Sequence, residues 1–212
     1  MLKGFIPRLY QETILATCAL KNTLVVLPTG MGKTGIALLL AVQRLKQHPG
    51  SKIVILAPTK PLAEQHLTTF KQFLEVPESI FALFTGEIPP EERAFLWRTA
   101  SIIFSTPQGL ENDVLGEKIN LKNVSLLVFD EAHRAVGDYS YVFLAKQYLR
   151  KADFPRVLAL TASPGSELEK IEEVCRNLQI EGVEIRTEND PDVSEYVQEV
   201  ESETINPKGS NQ

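Results

Sequence analysis

Two short segments of this 212-residue chain carry the side chains needed to hold a nucleoside triphosphate and to direct water at its last phosphate. The first, Leu-Pro-Thr-Gly-Met-Gly-Lys-Thr, is a turn between two apolar runs, where backbone N–H groups at a helix N-terminus can converge on phosphate oxygens. Lys33 would reach the outer phosphates as a point charge, and the Thr34 hydroxyl would bind Mg²⁺. The generic pattern G-x-x-x-x-G-K-[ST] has glycine where this chain has Leu27. The candidate nucleotide-binding residues are Leu27, Pro28, Thr29, Gly30, Met31, Gly32, Lys33 and Thr34.

The second segment, Asp-Glu-Ala-His at 130–133, follows another apolar run and presents two carboxylates. Acidic pairs at strand ends are often merely solvated, but a phosphate loop needs a carboxylate from a second strand to hold Mg²⁺, usually through water. Asp130 is predicted to take that role, and Glu131 is predicted to activate the attacking water as a general base. With Lys33 they form the predicted catalytic set. His133 is a candidate polar link between the phosphate site and neighbouring elements.

Short apolar runs alternate with helical patterns, which predicts an α/β fold with a mostly parallel sheet of about seven strands and helices on both faces. Open sheets of this kind bind ligands at the carboxyl ends of their strands, where both segments lie. The predicted strands are Leu24–Leu27, Ile53–Ala57, Ile80–Thr85, Ile102–Ser105, Leu126–Phe129, Val157–Leu160 and Val183–Ile185. The predicted helices are Arg8–Leu20, Lys33–Gln47, Leu62–Leu74, Glu91–Arg98, Gln108–Leu115, Tyr139–Arg150 and Glu167–Leu178.

Composition limits the class of protein. Hydrophobic residues make up 43% of the chain, enough for a core, and no stretch approaches the roughly 20 unbroken apolar residues of a membrane span. Pro7 and Arg8 interrupt the N-terminal segment too early for a signal peptide. Cys18 and Cys175 are far apart and are predicted to be buried free thiols in a reducing compartment. We therefore expect an intracellular, cytoplasmic protein with no membrane partner.

Five further segments, in the same order along the chain, resemble motifs of superfamily 2 helicases and translocases. Arg8-Leu9-Tyr10-Gln11 looks like the Q motif, which implies that Arg8 and Gln11 belong to the ATP site and that Gln11 reads the adenine edge. Thr161-Ala162-Ser163 looks like motif III, which implies that Thr161 and Ser163 couple hydrolysis to movement. Segments 57–62, 85–86 and 105–108 look like motif Ia, motif Ib and the motif that follows it.

Within this superfamily, Asp130–Gly137, Tyr141–Phe143 and Leu160–Gly165 are similar to the branch of archaeal Hef and the Fanconi anaemia group M translocase. The resemblance covers about residues 5–195. It implies a RecA-like P-loop domain that uses ATP and Mg²⁺ and acts on forked or branched DNA in repair and replication restart, from an archaeal source. Dicer-type and antiviral RNA-sensing helicases are more distant cousins, so RNA stays open as a less favoured substrate.

Candidate contacts with nucleic acid follow three of the predicted strands, at the same edge as the nucleotide site. Hydroxyls and N–H groups of helix starts can hold phosphates without reading sequence. The net charge of −5 argues against a protein that coats nucleic acid by bulk electrostatics. It is compatible with local contacts of this kind to single phosphates. The same residues also fit ordinary helix caps, and this alternative stays open. The candidates are Thr59, Lys60, Thr85, Gly86, Thr106, Pro107 and Gln108.

Enzymes of this superfamily stack two RecA-like lobes with ATP between them, and the sequence resembles only the first. Nothing after Ser163 shows the Gln/His-Arg-x-Gly-Arg pattern of a second lobe, and the nuclease signature of Hef is absent. We therefore expect residues 1–195 to form the first motor lobe, as an excised fragment or a truncated product. Residues 196–212 are expected to be a polar tail that is disordered or begins a missing element. The second lobe and a nuclease domain are its expected partners.

Two other classes of protein compete with a motor lobe. A nucleotide-binding scaffold without turnover would have no use for Glu131 and Thr34, which weighs against it. A metabolic P-loop kinase would leave 57–60 and Thr161-Ala162-Ser163 without a role.

Overall fold

The computed structural model describes residues 1–30, 32–162 and 168–190, and the core of this part is one sheet of seven parallel strands. Strands β1 to β7 are Thr23–Val26, Lys52–Leu56, Phe81–Phe84, Ile102–Ser105, Val124–Phe129, Val157–Thr161 and Gly182–Ile185. Helices α1 to α7 are Leu9–Cys18, Lys33–Gln47, Lys60–Phe73, Pro90–Thr99, Pro107–Leu115, Ser140–Lys151 and Leu168–Asn177. Short 3₁₀ helices cover Glu78–Ile80, Leu121–Asn123 and Ala132–Arg134. Within the described ranges, no helix is long and apolar enough to cross a membrane.

Every predicted strand and helix is present, so the prediction of an α/β fold built on a parallel sheet is confirmed. Boundaries differ by a few residues. The strand predicted at 80–85 begins at Phe81, because Ile80 closes a 3₁₀ turn. Helix α3 begins at Lys60, two residues earlier than predicted, since Pro61 fits a first helical turn where no N–H is needed.

Helices cover both faces of the sheet, which explains why the strands read as continuous apolar runs. In β1, Val25 packs against the side formed by α1, α2 and α3, whereas Leu24 and Val26 pack against the side formed by α4 to α7. Cys18 and Cys175 lie on opposite sides of the sheet, and both are free thiols, as predicted. Cys18 is buried, as predicted, whereas Cys175 is only partly buried.

The strand order β3-β4-β2-β5-β6-β1-β7 brings the ends of β1, β6 and β5 side by side. Val26 pairs with Thr161 across β1 and β6. Just beyond the strands, the Leu27 N–H donates to the Thr161 carbonyl at 3.1 Å, and the Asp130 N–H donates to the Leu56 carbonyl at 2.9 Å. These bonds fix the loop after β1 and the acidic segment after β5 at one edge of the sheet, which we name the carboxyl edge.

A buried ion pair ties α4 to α5 near the segment that follows β3. The Arg93 guanidinium donates to both carboxylate oxygens of Asp113, at 2.7 and 2.8 Å. Another of its N–H groups donates to the Ile88 carbonyl. Arg93 and Asp113 are 6% and 2% exposed, so water is excluded as an alternative partner for either charge.

Replacing Asp113 with alanine is expected to lower the free energy of unfolding by about 3–5 kcal/mol, because the Arg93 charge stays buried without its partner. Urea denaturation followed by circular dichroism measures this change. Glu78→Ala is the control, since it removes the exposed ion pair between Lys71 and Glu78 and should change stability little. Equal effects of the two substitutions would contradict the importance of the buried pair.

Candidate nucleotide-binding site

A cavity of about 830 Å³ opens at the carboxyl edge, between the loop after β1, the helix α3 and the acidic segment after β5. It is large enough to take a small-molecule ligand. Most of the predicted nucleotide and metal ligands lie on its wall, although they come from segments up to about a hundred positions apart in sequence. The cavity is lined in part by Thr29, Gly30, Gly32, Lys33, Thr34, His66, Asp130, Glu131 and His133.

The loop between β1 and α2 depends on two glycines in the left-handed region, Gly30 at φ 85° and Gly32 at φ 78°. A Cβ on Gly32 would lie 2.6 Å from the Gln11 side-chain nitrogen, so a larger residue would displace Gln11 from the loop as well as strain the backbone. Leu27, predicted both as the last residue of the first strand and as a nucleotide-binding residue, is fully buried in the core, so only its backbone is available to the site. Met31 lies outside the described residues.

The Lys33 side chain turns back into the loop, with its ammonium nitrogen 3.4 Å from the Leu27 carbonyl oxygen. Burial lowers the pKa of Lys33, and the charges of Asp130 and Glu131 oppose that change. Among the described residues that line the cavity, Lys33 is the only lysine or arginine. It is therefore the group there best suited to neutralise phosphate oxygens.

The Thr34 hydroxyl and the Asp130 carboxylate are joined by His66, from α3. The His66 ring lies 3.0 Å from Thr34 through Nδ1 and 2.8 Å from Asp130 through Nε2. His66 was not among the predicted site residues. Its position on the buried face of α3, three residues after Ala63 and four before Phe70, was the available signal, because a polar side chain on such a face needs a partner.

Burial acts to raise the pKa of Asp130, but hydrogen bonds from His66 and from the Glu131 N–H, together with Lys33, hold it below its usual value. The carboxylate is therefore ionised at neutral pH. A hydroxyl oxygen and an ionised carboxylate are hard oxygen donors of the kind that Mg²⁺ takes, and Mg²⁺ commonly has only one or two protein ligands beside nucleotide phosphates and water. Thr34 and Asp130 fit this ion. The described residues contain no cluster of three or more His, Cys, Asp and Glu side chains suited to a metal.

Glu131 has a strained backbone, with φ at 50° in the region that non-glycine residues rarely adopt. The Tyr141 hydroxyl stabilises this turn by donating to the Asp130 carbonyl at 2.6 Å. The Glu131 carboxylate accepts a hydrogen bond from the Arg134 guanidinium at 2.9 Å. Neither Tyr141 nor Arg134 was predicted as a site residue. Their contacts depend on the turn that places Glu131 at the cavity.

Two predicted residues of the coupling set come together, since the His133 ring and the Thr161 hydroxyl lie 3.0 Å apart. Thr161 ends β6, the strand between the phosphate-loop strand and the acidic strand. His133 thus connects the acidic segment to the end of β6. Ser163, the third predicted member, lies outside the described residues.

Gln11 lies against the phosphate loop and is only 4% exposed. Its amide nitrogen donates to the Gly32 carbonyl at 3.1 Å, and its amide oxygen accepts from the Arg8 N–H at 2.9 Å. Both polar atoms of the Gln11 amide thus bind backbone groups, and the bond to Gly32 stabilises the phosphate loop directly. That Gln11 also reads adenine stays a prediction.

The candidate nucleic-acid contacts lie at the same edge, but the structure separates exposed members from buried ones. Thr59 caps α3 weakly, at 3.4 Å from the Leu62 N–H, whereas Thr106 makes no cap bond through its side chain. Thr85 and Pro107 are buried and can offer only backbone. Gly86 and Gln108 flank a second cavity, of about 500 Å³, which Thr106 also lines.

Comparison with known proteins finds helicases. Residues 8–171 match the DEAD/DEAH box helicase family model. The Hef helicase domain of Pyrococcus furiosus, in its crystal structure, is 53% identical and superposes with a TM-score of 0.87, over 90% of this chain and 40% of that one. The Neurospora crassa ATP-dependent DNA helicase mph1 is 44% identical over 92% of this chain. MJ1505 of Methanocaldococcus jannaschii, provisionally named an ATP-dependent RNA helicase, is 46% identical over 91%. This chain spans 24% of MJ1505 and 17% of mph1.

Proposed function

The chain belongs to the DEAD/DEAH box helicase family, and from that premise we propose that it is the ATP-binding motor lobe of an ATP-dependent DNA helicase or translocase that acts on forked or branched DNA. The observation that carries the proposal is the convergence of Lys33, Thr34, Asp130 and Glu131 on one cavity at the carboxyl edge. The names of relatives such as mph1 support DNA as the substrate.

We propose the following roles at the cavity. The N–H groups at the start of α2 and the Lys33 ammonium hold the phosphates, as a helix N-terminus and a point charge can. Thr34 binds Mg²⁺ directly and Asp130 binds it through water; the bound ion would neutralise charge on the phosphates. Glu131 accepts a proton from the attacking water, after its carboxylate leaves Arg134.

We propose that residues 1–195 form this lobe, that 196–212 are a polar tail, and that a second RecA-like lobe supplies arginines to the same nucleotide. The length of the relatives supports the presence of further domains beside such a lobe, because this chain spans less than a quarter of MJ1505 and of mph1. A nuclease domain, as in the Hef branch, is a further proposed partner.

We also propose that Lys60 contacts a nucleic-acid phosphate. Its ammonium pairs with Glu87 at 2.9 Å and lies 4.0 Å from Glu64, so it joins the start of α3 to the segment after β3. A phosphate would compete with Glu87 for this exposed lysine, and Glu87 would thus weaken binding in the wild-type chain.

Lys60→Ala is expected to weaken binding of forked DNA and to reduce the slope of log affinity against log salt by about 1, because one phosphate contact is lost. Glu87→Gln is expected to strengthen binding, since it frees the lysine. Fluorescence anisotropy over a salt series measures both. If Lys60→Ala leaves affinity and salt slope unchanged, the contact is wrong.

RNA is the second candidate substrate, favoured by the name of MJ1505. A lobe that holds backbone without reading bases binds both polymers, so its affinity alone does not separate them. The two substrates are distinguished by how strongly each stimulates ATP hydrolysis by the two-lobe protein. Greater stimulation by forked DNA than by double-stranded RNA supports our proposal, and the reverse order would replace it.

A further inference from the structure

The contacts of His66 place an imidazole between the two groups proposed to hold Mg²⁺. The ring spans from the Thr34 hydroxyl to the Asp130 carboxylate, at 3.0 and 2.8 Å. His66 is 5% exposed and Asp130 is 8% exposed, so both side chains are held mainly by protein partners. A polar bridge at this depth restricts the orientation of both groups.

The hydrogen-bond network assigns the direction of each bond when the ring is neutral. The ionised Asp130 carboxylate can only accept, so Nε2 of His66 carries the hydrogen and donates it. Nδ1 is then an acceptor, and the Thr34 hydroxyl donates to it. The hydroxyl hydrogen therefore points at His66, and the lone pairs of the Thr34 oxygen stay available to a cation.

Helix α3 fixes the imidazole in this place. His66 lies on the face of α3 that buries Ala63 and Phe70, and the Phe70 ring packs edge-on against Phe104 of β4. The ring position is thus set by core packing, independently of nucleotide or metal. This is the arrangement expected of a group that orients metal ligands.

We propose that His66 is a positioning residue of the Mg²⁺ site, which orients the Thr34 hydroxyl and the Asp130 carboxylate and thereby raises the affinity of the nucleotide-bound lobe for Mg²⁺. The inference rests on the proposed function, because it takes Thr34 and Asp130 as the metal ligands. Loss of such an orienting group typically weakens metal binding 10–100-fold.

The test measures how much Mg²⁺ strengthens ADP binding, by calorimetric titration of the whole chain with ADP, either with Mg²⁺ or with EDTA. His66→Ala is expected to reduce this strengthening by about tenfold or more. Because the strengthening is the ratio of the affinities with Mg²⁺ and with EDTA, any change in the binding of ADP itself cancels. His66→Gln is expected to retain most of it, since an amide offers one acceptor and one donor to the same partners. Gln72→Ala, on the exposed side of α3, is the matched control and should behave as wild type.

The outcomes distinguish failure of the proposed function from failure of the role proposed for His66. If the wild-type chain binds no ADP, the proposed function fails and this inference fails with it. If the wild type binds ADP but His66→Ala keeps or increases the effect of Mg²⁺, His66 is a bystander or a competitor of the ion, and only this inference is overturned. If His66→Ala does not fold, His66→Asn takes its place with the same expectation, because its side chain is too short to bridge both groups.

Discussion

Replacement of Lys33 by alanine is expected to abolish ATP binding measurable by calorimetry. Lys33 is the only lysine or arginine on the described wall of the cavity, which also carries Asp130 and Glu131. Without its charge, the triphosphate would face the carboxylates of Glu64, Asp130 and Glu131, with no lysine or arginine on the described wall of the cavity. A unit charge about 4 Å from a phosphate oxygen is worth about 4 kcal/mol at an effective dielectric constant near 20, which corresponds to roughly a thousandfold in affinity.

The matched control for this experiment is Lys71→Ala, which removes an exposed lysine of α3 that pairs with Glu78 away from the cavity. It should bind ATP as the wild type does. Both variants should stay folded: the only side-chain hydrogen bond described for Lys33 is long, and loss of its attraction to Asp130 and Glu131 is opposed by relief of the cost of burying its charge. Unchanged ATP affinity in the folded Lys33→Ala variant would remove the assignment of the phosphate loop.

Addition of the second lobe is expected to raise the rate of ATP hydrolysis by about 10³–10⁵-fold, the range measured for arginines that complete related phosphoryl-transfer sites. The physical reason is the wall of the cavity, where Lys33 is the only lysine or arginine among the described residues. Beside the proposed Mg²⁺, no other positive group on the described part of this wall opposes the charge that spreads over the transferring phosphoryl group. Single-turnover hydrolysis of ATP in the presence of forked DNA, by this chain and by a protein with both lobes, measures the difference.

Glu131→Gln is the control for that comparison, because it keeps the shape of the side chain and removes the general base. It should reduce the rate of the two-lobe protein to that of the background. Rapid hydrolysis by this chain alone, or robust unwinding of a forked duplex by it, would contradict the dependence on a second lobe.

The architecture was predictable because hydrophobic patterning dominates it. Strand β5 is buried at all six positions, and its sequence Val-Ser-Leu-Leu-Val-Phe shows this directly. Once a parallel sheet is inferred, its carboxyl ends must meet at one edge. That rule was enough to place Lys33, Thr34 and Asp130 near each other without knowledge of the strand order.

The remaining contacts were not predictable, because they join side chains whose meeting depends on exact packing. His66 meets Asp130, 64 positions away in the sequence, through the packing of α3 against the sheet. Leu27 stands where the generic phosphate loop has glycine, and its burial shows that this position belongs to the core of this chain. The left-handed backbone of Glu131 has no signal in residue type, since glycine or asparagine is usual there.

The most direct test of the account is the location of nucleotide binding, measured by titrating Mg²⁺ and ADP into the isotopically labelled chain and following its backbone amide resonances. We expect the largest shifts at Gly30, Gly32, Lys33, Thr34 and Glu131, on the wall of the cavity at the carboxyl edge. Shifts concentrated instead around Asn22, Arg156 and Glu181, which line a cavity at the opposite ends of the strands, would contradict the account, as would no shifts at all.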